Sequence, residues 1–333
     1  MKYISFVVPC YNSQEYMEHC IDSLLIGGDD VEIIIVDDGS SDSTGKIADN
    51  YAKKHKNIVK VIHQKNGGHG EGINQGLKVA TGKYFKVIDS DDWADEKAYK
   101  TLLKRIKKID SDAIIMNYVY TYTDGRKDQV INFSNVFPDN IECTWEDTKR
   151  FKPQQYLSLH SMMFKKTVLD ETNIELPKHC FYEDNLFIYS ALKYVKTIHY
   201  MNLDFYRYFI GRADQSVQEP QLIKRSSHQV LVSTRVATLY DLKDIKGKHK
   251  RVMMRHLSLI VTLGIIFSRL GRTPESELQY KKMWKDIKIQ NPVIYRKIRG
   301  PFRMCGWASL PGKFGRELSL GGYKLAHSLV KFN

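Results

Sequence analysis

The residues with the clearest chemical potential are three carboxylates, Asp89, Asp91 and Asp92, which lie within four consecutive positions. They follow an apolar run, residues 84–88, that has the composition of a β-strand. Carboxylates this close repel one another unless a positive charge lies among them. A hard divalent cation with oxygen ligands, Mg²⁺ or Mn²⁺, meets that need. The alternative is an acidic turn that caps a helix beginning near Asp95, because Asp and Ser favour N-cap positions.

A second acidic pair, Glu183 and Asp184, opens a run whose apolar residues recur at helical spacing. One interpretation is an acidic helix N-terminus, which the helix dipole stabilises. The other is a general base at the first helical turn, able to take a proton from an attacking hydroxyl. A reaction that needs both a metal and a base would account for two separate acidic clusters.

Further polar residues offer groups that suit a nucleotide. Asp38 can accept a hydrogen bond from a donor such as the N3–H of uracil, and Tyr11 offers a ring face for stacking. Residues 37–41 also read as a turn followed by a helix cap. Glycines at positions 67, 68, 70 and 72 allow close backbone approach to phosphates near a helix start. This loop is not a dinucleotide fingerprint, because Ile73 stands where the third glycine would be, and no GxxxxGK[ST] motif occurs.

The elements that would position these residues alternate between strand and helix. The pattern predicts strands at residues 3–8, 31–36, 58–62 and 84–88, and helices at 14–25, 42–55, 70–80 and 96–106. Such alternation indicates βαβ units and a mostly parallel sheet. Ligands of these sheets bind at the carboxyl ends of the strands. Each polar cluster of the first ninety-odd residues follows one of the four strands, so we expect an active site at that edge.

The rest of the chain is less regular at first and then helical. Strands are predicted at 114–122, 161–168 and 198–209, and the stretch 123–150 reads as loops and edge strands. Helices are predicted at 222–242, 249–270 and 275–287, and within 180–194 a run at helical spacing opens at residues 182–185. The pattern therefore predicts a catalytic domain at 1–218 and a helical, basic extension at 219–333.

Composition narrows the class of protein. The hydrophobic share of 42% and the charged share of 27% describe a folded chain. Five widely spaced cysteines without a CxxC pair favour a reducing compartment over a disulfide framework or zinc site. No secretory signal is visible, and the apolar stretch 257–267 falls short of the ~20 residues that span a bilayer.

The positive charge is concentrated at the C-terminal end. Residues 281–333 contain twelve bases and two acids, which accounts for ten of the net +13. Such a tail indicates an anionic partner, either membrane lipid or nucleic acid. Residues 323–332 mix apolar residues with Lys and suit an interfacial membrane helix, or else a basic helix packed on the protein's own surface.

Four motifs together resemble glycosyltransferase family 2, whose members are inverting enzymes with the GT-A fold. The motifs are FVVPCYN at residues 6–12, IVDDGSSD at 35–42, NGG at 66–68 and DSDD at 89–92. The resemblance covers residues 3–215 and implies a nucleotide-sugar donor, most often linked to UDP. In the order of the chain, the donor-binding residues that we expect are Pro9, Tyr11, Asn12, Asp38, Asn66, Gly67, Gly68, Asn74, Asp89, Ser90, Arg207 and Arg212.

The same resemblance assigns the chemical roles. Asp91, with Asp89, would hold Mn²⁺ or Mg²⁺, and Asp92 would support them or face the sugar. The Glu-Asp pair maps onto Glu183 and Asp184, with Asp184 as the base. One departure is that Gly72-Ile73-Asn74 stands where the family often has Ala-Arg-Asn, so the diphosphate needs another cation. Lys65, Arg207 and Arg212 are the candidates.

The expected role is transfer of a sugar to a glycan acceptor, possibly lipid-linked, in bacterial surface-polysaccharide synthesis. We expect a cytoplasmic protein at the inner face of the membrane, with the basic tail on anionic lipid. A sugar-phosphate nucleotidyltransferase is an alternative, but it normally has a Gly-rich basic loop after the first strand, unlike residues 9–12. A basic nucleic-acid-binding protein would explain the charge, yet no recognised binding module is present, so no nucleic acid is expected.

Overall fold

The chain folds into two compact units. The computed structural model describes residues 1–211, 219–300 and 303–330, the side chains of 326–330 excepted. One unit comprises Met1–Cys180 and Tyr194–Gly211, and the other comprises Phe181–Lys193 and the described part of Arg212–Asn333. The sequence-based boundary at 218/219 therefore differs from the structural division, which groups Phe181–Lys193 with the C-terminal helices.

The first unit is an α/β structure. Its elements are β1 (Ile4–Cys10), α1 (Met17–Leu25), β2 (Val31–Asp37), α2 (Thr44–Lys54), β3 (Val59–His63), α3 (His69–Val79), β4 (Tyr84–Val87), β5 (Trp93–Ala94), α4 (Glu96–Ile106), β6 (Ala113–Tyr122), β7 (Gln129–Ile131), β8 (Glu142–Thr144), β9 (Met162–Lys165), α5 (Lys166–Thr172) and, after the segment that belongs to the other unit, β10 (Thr197–Ile210). Short 3₁₀ turns lie at Gly28–Asp30 and Trp145–Asp147.

The described strands of this unit form one mixed sheet in the order β3-β2-β1-β4-β9-β6-β10-β5, with β7 beside β6 and β8 beside β10. Strands β1 to β4 are parallel to one another, as the alternating pattern predicts. Strand β9 then runs antiparallel to both β4 and β6. The parallel strands β1–β4 bring four loops to one edge.

Strands β1, β2 and β4 of the parallel part of the sheet are buried on both faces, whereas β3, at its edge, is partly exposed. Every residue of β1 and of β2 is buried, which matches their nearly continuous apolar sequences. Helix α3 packs closely on β1 because Gly76 has no side chain: a Cβ there would lie 2.4 Å from Val7 Cγ1. The carboxyl ends of the strands are thus held by a rigid core.

Strand β10 is irregular in a way that matters for the site. Its pairing with β6 shifts register between Met201 and Asp204, and again between Asp204 and Tyr206. Asn117 of β6 fills the irregularity, because its Nδ2 donates to Asp204 Oδ1 at 2.8 Å. Bulges of this kind redirect the side chains that follow, here beginning with Tyr206.

The second unit is helical. Its elements are α6 (Asp184–Leu192), α7 (Glu219–Lys224), α8 (Ser226–Leu239), α9 (Gly247–Gly271), α10 (Pro274–Gln290), α11 (Pro292–Ile298), α12 (Met304–Ala308) and α13 (Gly312–Val330). Helix α6 belongs here because Tyr189 packs on Tyr240 and His256, at ring distances of 5.9 and 6.1 Å. The α/β fold with a helical C-terminal extension is therefore confirmed.

Helix α9 is the central helix of this unit. Gly264 allows α8 to approach closely, since a Cβ there would lie 2.4 Å from Ser233 Oγ. Among the described residues, Gly247–Gly271 is the one helix long and apolar enough to cross a membrane, judged by length and composition only. Of its most apolar window, 56% is buried within the protein, as expected of a core helix.

Two predicted elements differ from the structure. The strand predicted at 161–168 ends at Lys165, which pairs with Tyr84 at the first residue of β4. Because β4 begins at Tyr84, the residues after Lys165 have no further residue of that strand to pair with. The chain continues there as helix α5, which buries Val168 and Leu169. The helix predicted at 222–242 is two helices, α7 and α8, separated at Arg225.

A buried carboxylate joins three strands and a turn at the end of the sheet opposite the site loops. Glu32 on β2 is fully buried and accepts hydrogen bonds from Ser5 Oγ at 2.6 Å, Lys60 Nζ at 2.7 Å and Thr81 N at 2.5 Å. Burial alone would raise the pKa of Glu32, but the hydrogen bonds from Lys60, Ser5 and Thr81 lower it below its usual value. The ionised form therefore stabilises the fold.

We predict that Glu32→Gln lowers the free energy of unfolding by about 2 kcal/mol at pH 7, because the charged hydrogen bond from Lys60 is lost and those from Ser5 and Thr81 then go to a neutral oxygen. The depressed folded-state pKa means that this stabilisation is present above the unfolded-state pKa and is lost as the pH falls through the folded-state pKa. Urea titrations at pH 7 and below pH 4.5 measure both effects. Glu96→Gln, at an exposed pair on α4, is the control. Equal stability of the two variants at pH 7 would contradict the assignment.

Candidate functional site

The loops after β1, β2 and β4 are joined by hydrogen bonds. Asn12 has a φ of +50° and its Oδ1 accepts from Ser41 N at 2.9 Å, which ties the first loop to the second. Ser13 Oγ lies 2.8 Å from Ser90 Oγ, which ties the first loop to the acidic stretch. Beside these contacts Tyr11 is 55% exposed, so that its ring face is open to a ligand.

Asp38 connects the second loop to the glycine loop. Its carboxylate is buried, and Oδ1 accepts from Gln64 Nε2 at 2.6 Å and from Gly67 N at 2.8 Å. Oδ2 accepts from Gly68 N at 2.8 Å and retains a lone pair for a further donor. Asp38 therefore fixes the shape of the glycine loop, in addition to any contact with a base.

The glycine loop also contacts the segment that leads to the second acidic pair. Gly68 has a φ of +87°, and a Cβ there would lie 2.9 Å from His179 N. His179 N donates to Gly67 O at 2.7 Å, so glycine is required for this approach. An open cavity of about 530 Å³ lies here, and its lining includes Lys65, Asn66, Gly67, Lys178 and His179.

Asn74, which was expected to bind the donor, already makes hydrogen bonds within the protein. The Asn74 side chain is buried: its Nδ2 donates to Glu71 Oε2 and Leu176 O, and its Oδ1 accepts from Leu176 N, all at 3.0 Å. Its amide thus anchors residues 174–178 to α3. A donor contact by Asn74 would require its amide to leave these partners.

The basic side chains that could neutralise the diphosphate of a donor also differ in their surroundings. Arg207 donates to Asp95 Oδ2 at 2.8 Å and to Asp128 Oδ2 at 3.0 Å, so two carboxylates compensate its charge. Arg212 lies outside the described residues. Lys65 is exposed and lines the cavity beside Asn66. Of the candidates whose surroundings are described, Lys65 is the better placed to meet a phosphate.

Asp89 is compensated by histidine. Its Oδ1 lies 3.0 Å from His69 Nε2, and its Oδ2 lies 3.9 Å from His160 Nε2. Burial alone would raise the pKa of Asp89, but the hydrogen bond from His69 and the nearby positive charges hold it below its usual value. Asp89 is therefore an ionised carboxylate available to a cation.

Asp92 is fully buried and connects the acidic stretch to β10. Its Oδ2 accepts from Tyr206 OH at 2.5 Å and its Oδ1 from Phe209 N at 2.8 Å. Burial raises the pKa of Asp92, and the charges of Asp91 and Asp89 raise it further. The surplus of negative charge here is what a divalent cation would relieve. Asp95, by contrast, is the N-cap of α4 and accepts from Ala98 N at 3.0 Å.

A buried lysine holds His160 against the acidic stretch. Lys86 Nζ donates to the carbonyls of Leu159, His160 and Met162 at 2.5, 2.8 and 3.1 Å, and lies 5.0 Å from the centre of the Tyr206 ring. Burial lowers the pKa of Lys86 to about 7, and the charges of Asp89 and Asp92 partly oppose that shift. Three carbonyl acceptors match the three N–H groups of an ammonium, so we expect the charged form.

The residues present fit a divalent metal. Ligand atoms of Asp89, Asp92 and His160 all lie within 4.8 Å of one another. Burial lowers the pKa of His160 to about 4, so its imidazole is neutral at pH 7 and can act as a ligand. Carboxylate oxygens suit Mg²⁺ and Mn²⁺, and an imidazole beside them favours a transition metal. Asp91, the carboxylate expected from the sequence, is not part of this group.

Glu183 and Asp184 lie at the start of α6, as the helical spacing predicts. Glu183 is the N-cap and is buried, and Asp184 is the first residue of the helix. An ionised Asp184 is stabilised there by the helix dipole. Just before the pair, Tyr182 has a φ of +69°, and strained backbone of this kind is common at functional sites.

Residues of the helical unit contact the two residues that precede this pair. Phe181 N donates to His228 Nδ1 at 3.2 Å, and the Arg225 guanidinium lies 3.6 Å from the centre of the Phe181 ring. Burial raises the pKa of Tyr182 to about 12; the charge of Arg225 opposes this shift and that of Asp184 adds to it. The residues that lead into the pair are therefore held by contacts within the helical unit.

Sequence reasoning missed three members of the acidic site, namely His69, His160 and Lys86. His69 carried a signal, because it lies inside the glycine loop at the start of α3. His160 carried none, since it lies in a stretch without periodicity. Lys86 interrupts an apolar strand, and a lysine buried there needs specific acceptors.

Comparison with known proteins identifies the family. The family model described as "Glycosyl transferase family 2" matches residues 5–172. Glycosyltransferase GlyG of Streptococcus pneumoniae is 41% identical over 125 residues, which are 37% of this chain and 41% of GlyG. EpsH of Bacillus subtilis, described as a glycosyltransferase, is 31% identical over 255 residues, which are 75% of this chain and 72% of EpsH. The chain thus spans less than half of GlyG and most of EpsH.

Comparison of structures supports the fold. The crystal structure of residues 1–349 of S. aureus TarS in complex with UDP-GlcNAc matches with a TM-score of 0.68 at 20% identity. The match covers 99% of this chain and 92% of that one, so it includes the C-terminal helices as well as the GT-A sheet. By the motif order, the fold and the extent of the family match, the chain belongs to glycosyl transferase family 2.

Proposed function

We propose that this protein transfers a sugar from a nucleotide-sugar, UDP-linked, to a hydroxyl of a glycan acceptor with inversion at the anomeric carbon. The observation that carries the proposal is that hydrogen bonds join the loops at the carboxyl ends of the parallel strands. Ser13 and Ser90, 2.8 Å apart through their Oγ atoms, join the loop of Tyr11 to the acidic stretch. A nucleotide base at one end and a diphosphate at the other would suit that edge.

The donor contacts follow from this arrangement. The ring of Tyr11 stacks on the base, and the remaining lone pair of Asp38 Oδ2 accepts from the N3–H of uracil. Pro9, Asn12 and Asn66 border the base and ribose, and Gly67 and Gly68 allow close approach to the phosphates. Lys65 supplies positive charge where the family often has arginine. TarS, which binds UDP-GlcNAc in its crystal structure, supports the choice of UDP.

A divalent cation, Mn²⁺ or Mg²⁺, would stabilise the negative charge that develops on the departing nucleoside diphosphate. We assign Asp89, with His160 beside it, and Asp91 as the groups that hold it. Asp91 lies outside the cluster of close ligand atoms and is assigned from the resemblance of the DSDD motif to the family. Asp92 is fully buried with both oxygens accepting hydrogen bonds, so it fixes the loop relative to β10. Asp91 is less buried and suits a cation that must also meet substrate phosphates.

Asp184 acts as the general base. Its carboxylate takes the proton of the acceptor hydroxyl while that oxygen bonds to the anomeric carbon and the bond to the diphosphate oxygen breaks. The nucleoside diphosphate leaves with the bonding electrons, and the configuration inverts. Glu183, buried at the helix N-cap, keeps Asp184 in position. A positioned base typically contributes ~10²–10⁴-fold in rate.

We further propose that the acceptor is lipid-linked and that the protein works at the inner face of the cytoplasmic membrane in bacterial surface-polysaccharide synthesis. The net charge of +13, concentrated after residue 280, supports an anionic surface as partner. Membership of family 2 disfavours the nucleotidyltransferase and nucleic-acid-binding alternatives. Release of pyrophosphate from UTP and a sugar phosphate would revive the former.

We predict that Asp184→Asn binds UDP with Mn²⁺ normally yet loses at least ~10²-fold in transfer rate, because the amide cannot accept the acceptor proton. Transfer is measured with UDP-sugars, and binding by calorimetry. Glu275→Gln, at the exposed first turn of α10, should leave both unchanged. Near-normal turnover of Asp184→Asn would remove Asp184 from the role of base.

We also predict that Asp91→Ala abolishes the dependence of UDP affinity on Mn²⁺, because the cation loses a carboxylate ligand. Calorimetric titration of UDP with and without Mn²⁺ measures this for the natural protein and the variant. Asp170→Asn, at an exposed ion pair on α5, is the control. If Mn²⁺ does not change UDP affinity in the natural protein, the metal assignment is wrong.

A further inference from the structure

Helix α13 presents an exposed apolar stripe. Phe314 is 81% exposed and Leu325 is 62% exposed, with Leu318 exposed between them. Spacings of four and seven residues place the three on one side of an α-helix. Large apolar side chains that lie together on a surface mark an interaction site more often than scattered ones do.

The opposite side of α13 is fixed to the rest of the helical unit. Arg269 on α9 is buried and donates through Nη1 to Gly315 O at 3.2 Å and to Ser319 Oγ at 2.9 Å. Leu320 packs in an apolar cluster with Ile266 and other residues of α9, and Tyr323 packs against that cluster. The orientation of the helix is therefore set by its buried side, and the apolar stripe faces outward.

Helix α12 extends the stripe sideways. A Cβ at Gly322 would lie 2.3 Å from Trp307 Cη2, so the indole ring lies directly on α13. Trp307 is partly exposed, and Met304, one turn earlier, is exposed as well. We call Met304, Trp307, Phe314, Leu318 and Leu325 the outer face. Tryptophan at the edge of such a face is typical of membrane interfaces, where an amphipathic ring meets lipid headgroups.

The charges around the outer face are positive. Lys313 and Lys324 are exposed and flank the stripe on one side of the helical wheel. Glu317, the one acid in the sequence of α13, pairs with Arg272 Nη2 at 3.0 Å, which compensates its charge. An apolar ridge bordered by lysines is complementary to an anionic lipid surface, with the ridge among the acyl chains and the lysines at the headgroups.

We propose that the outer face is a docking surface for an anionic lipid bilayer and that α13 lies in the membrane interface. A second copy of this chain fits the face less well, because two lysine-bordered surfaces repel each other. More than half of the most apolar stretch of α9 is buried inside the protein, as in a core helix. Docking through α13 therefore does not require α9 to cross the membrane. The inference rests on the membrane location proposed above, but not on the proposed chemistry.

The test is vesicle binding by the full chain without donor or acceptor. We expect the natural protein to sediment with vesicles of phosphatidylcholine containing 30% phosphatidylglycerol, and at least tenfold less with phosphatidylcholine alone. The triple variant Phe314→Ser, Leu318→Ser, Leu325→Ser and the double variant Lys313→Glu, Lys324→Glu should each bind at least tenfold less. The control carries Leu278→Ser and Ile289→Ser on α10, both residues 67% exposed and near lysines, and should bind normally.

A second measurement places the face in the lipid. Brominated lipids should quench the tryptophan fluorescence of the natural protein, and the Trp307→Phe variant should lose that quenching while still binding. Thermal unfolding monitors the fold of every variant. Equal binding by the triple variant and the control would overturn the proposal. So would the finding, without lipid, that the natural protein is a dimer and the triple variant a monomer, because the outer face would then be a contact between two copies. Because UDP binding and transfer are assayed separately, their loss would instead bear on the transferase assignment.

Discussion

The crowding of carboxylates at the end of β4 is the constraint on which the candidate site depends. Asp89, Asp91 and Asp92 follow a strand that ends inside the core, where unpaired negative charge is costly. The imidazole of His69 hydrogen-bonds Asp89, and Tyr206 OH and Phe209 N donate to Asp92. These contacts recruit the glycine loop and the irregular strand β10 into one structure. These contacts compensate only part of the negative charge of the three carboxylates, and a divalent cation would compensate the rest.

A single buried carboxylate, Asp38, also organises the part of the site that we propose binds the nucleotide. Asp38 fixes the backbone of Gly67 and Gly68, and Gly67 in turn accepts from His179 N. One buried carboxylate therefore shapes the glycine loop, which we propose binds the phosphates, and through it the segment that precedes the second acidic pair in the sequence. A substitution at Asp38 would change more than a single hydrogen bond to a base, because the loop itself depends on it.

Much of this arrangement could be predicted from the sequence, for identifiable reasons. The bounds of β2 and α4 agree with the prediction within a residue, because continuous apolar runs and a strong N-cap such as Asp95 are local signals. The order of the four site loops follows from the alternation of strands and helices. The start of α6 at Asp184 follows from helical spacing.

What could not be predicted depends on contacts between distant residues. His160 reaches Asp89 only because β9 lies antiparallel beside β4, and the strand predicted at 161–168 carried no sign of that partner or direction. Arg207 was expected near the diphosphate, but its pairing with Asp95 and Asp128 depends on the register of β10. Asn74 was likewise expected at the donor, whereas Leu176, about a hundred residues later, occupies its amide.

The central proposal is that the site at the carboxyl ends of β1–β4 binds a UDP-sugar, and that the bond between its anomeric carbon and the diphosphate oxygen is broken there. The most direct measurement is to incubate the purified protein and Mn²⁺ with UDP-, GDP- and dTDP-sugars and to identify the nucleotide released. The account predicts UDP, released from one or more UDP-sugars and faster when an acceptor glycan is added. Release of UMP, or of no nucleotide from any UDP-sugar, would contradict it.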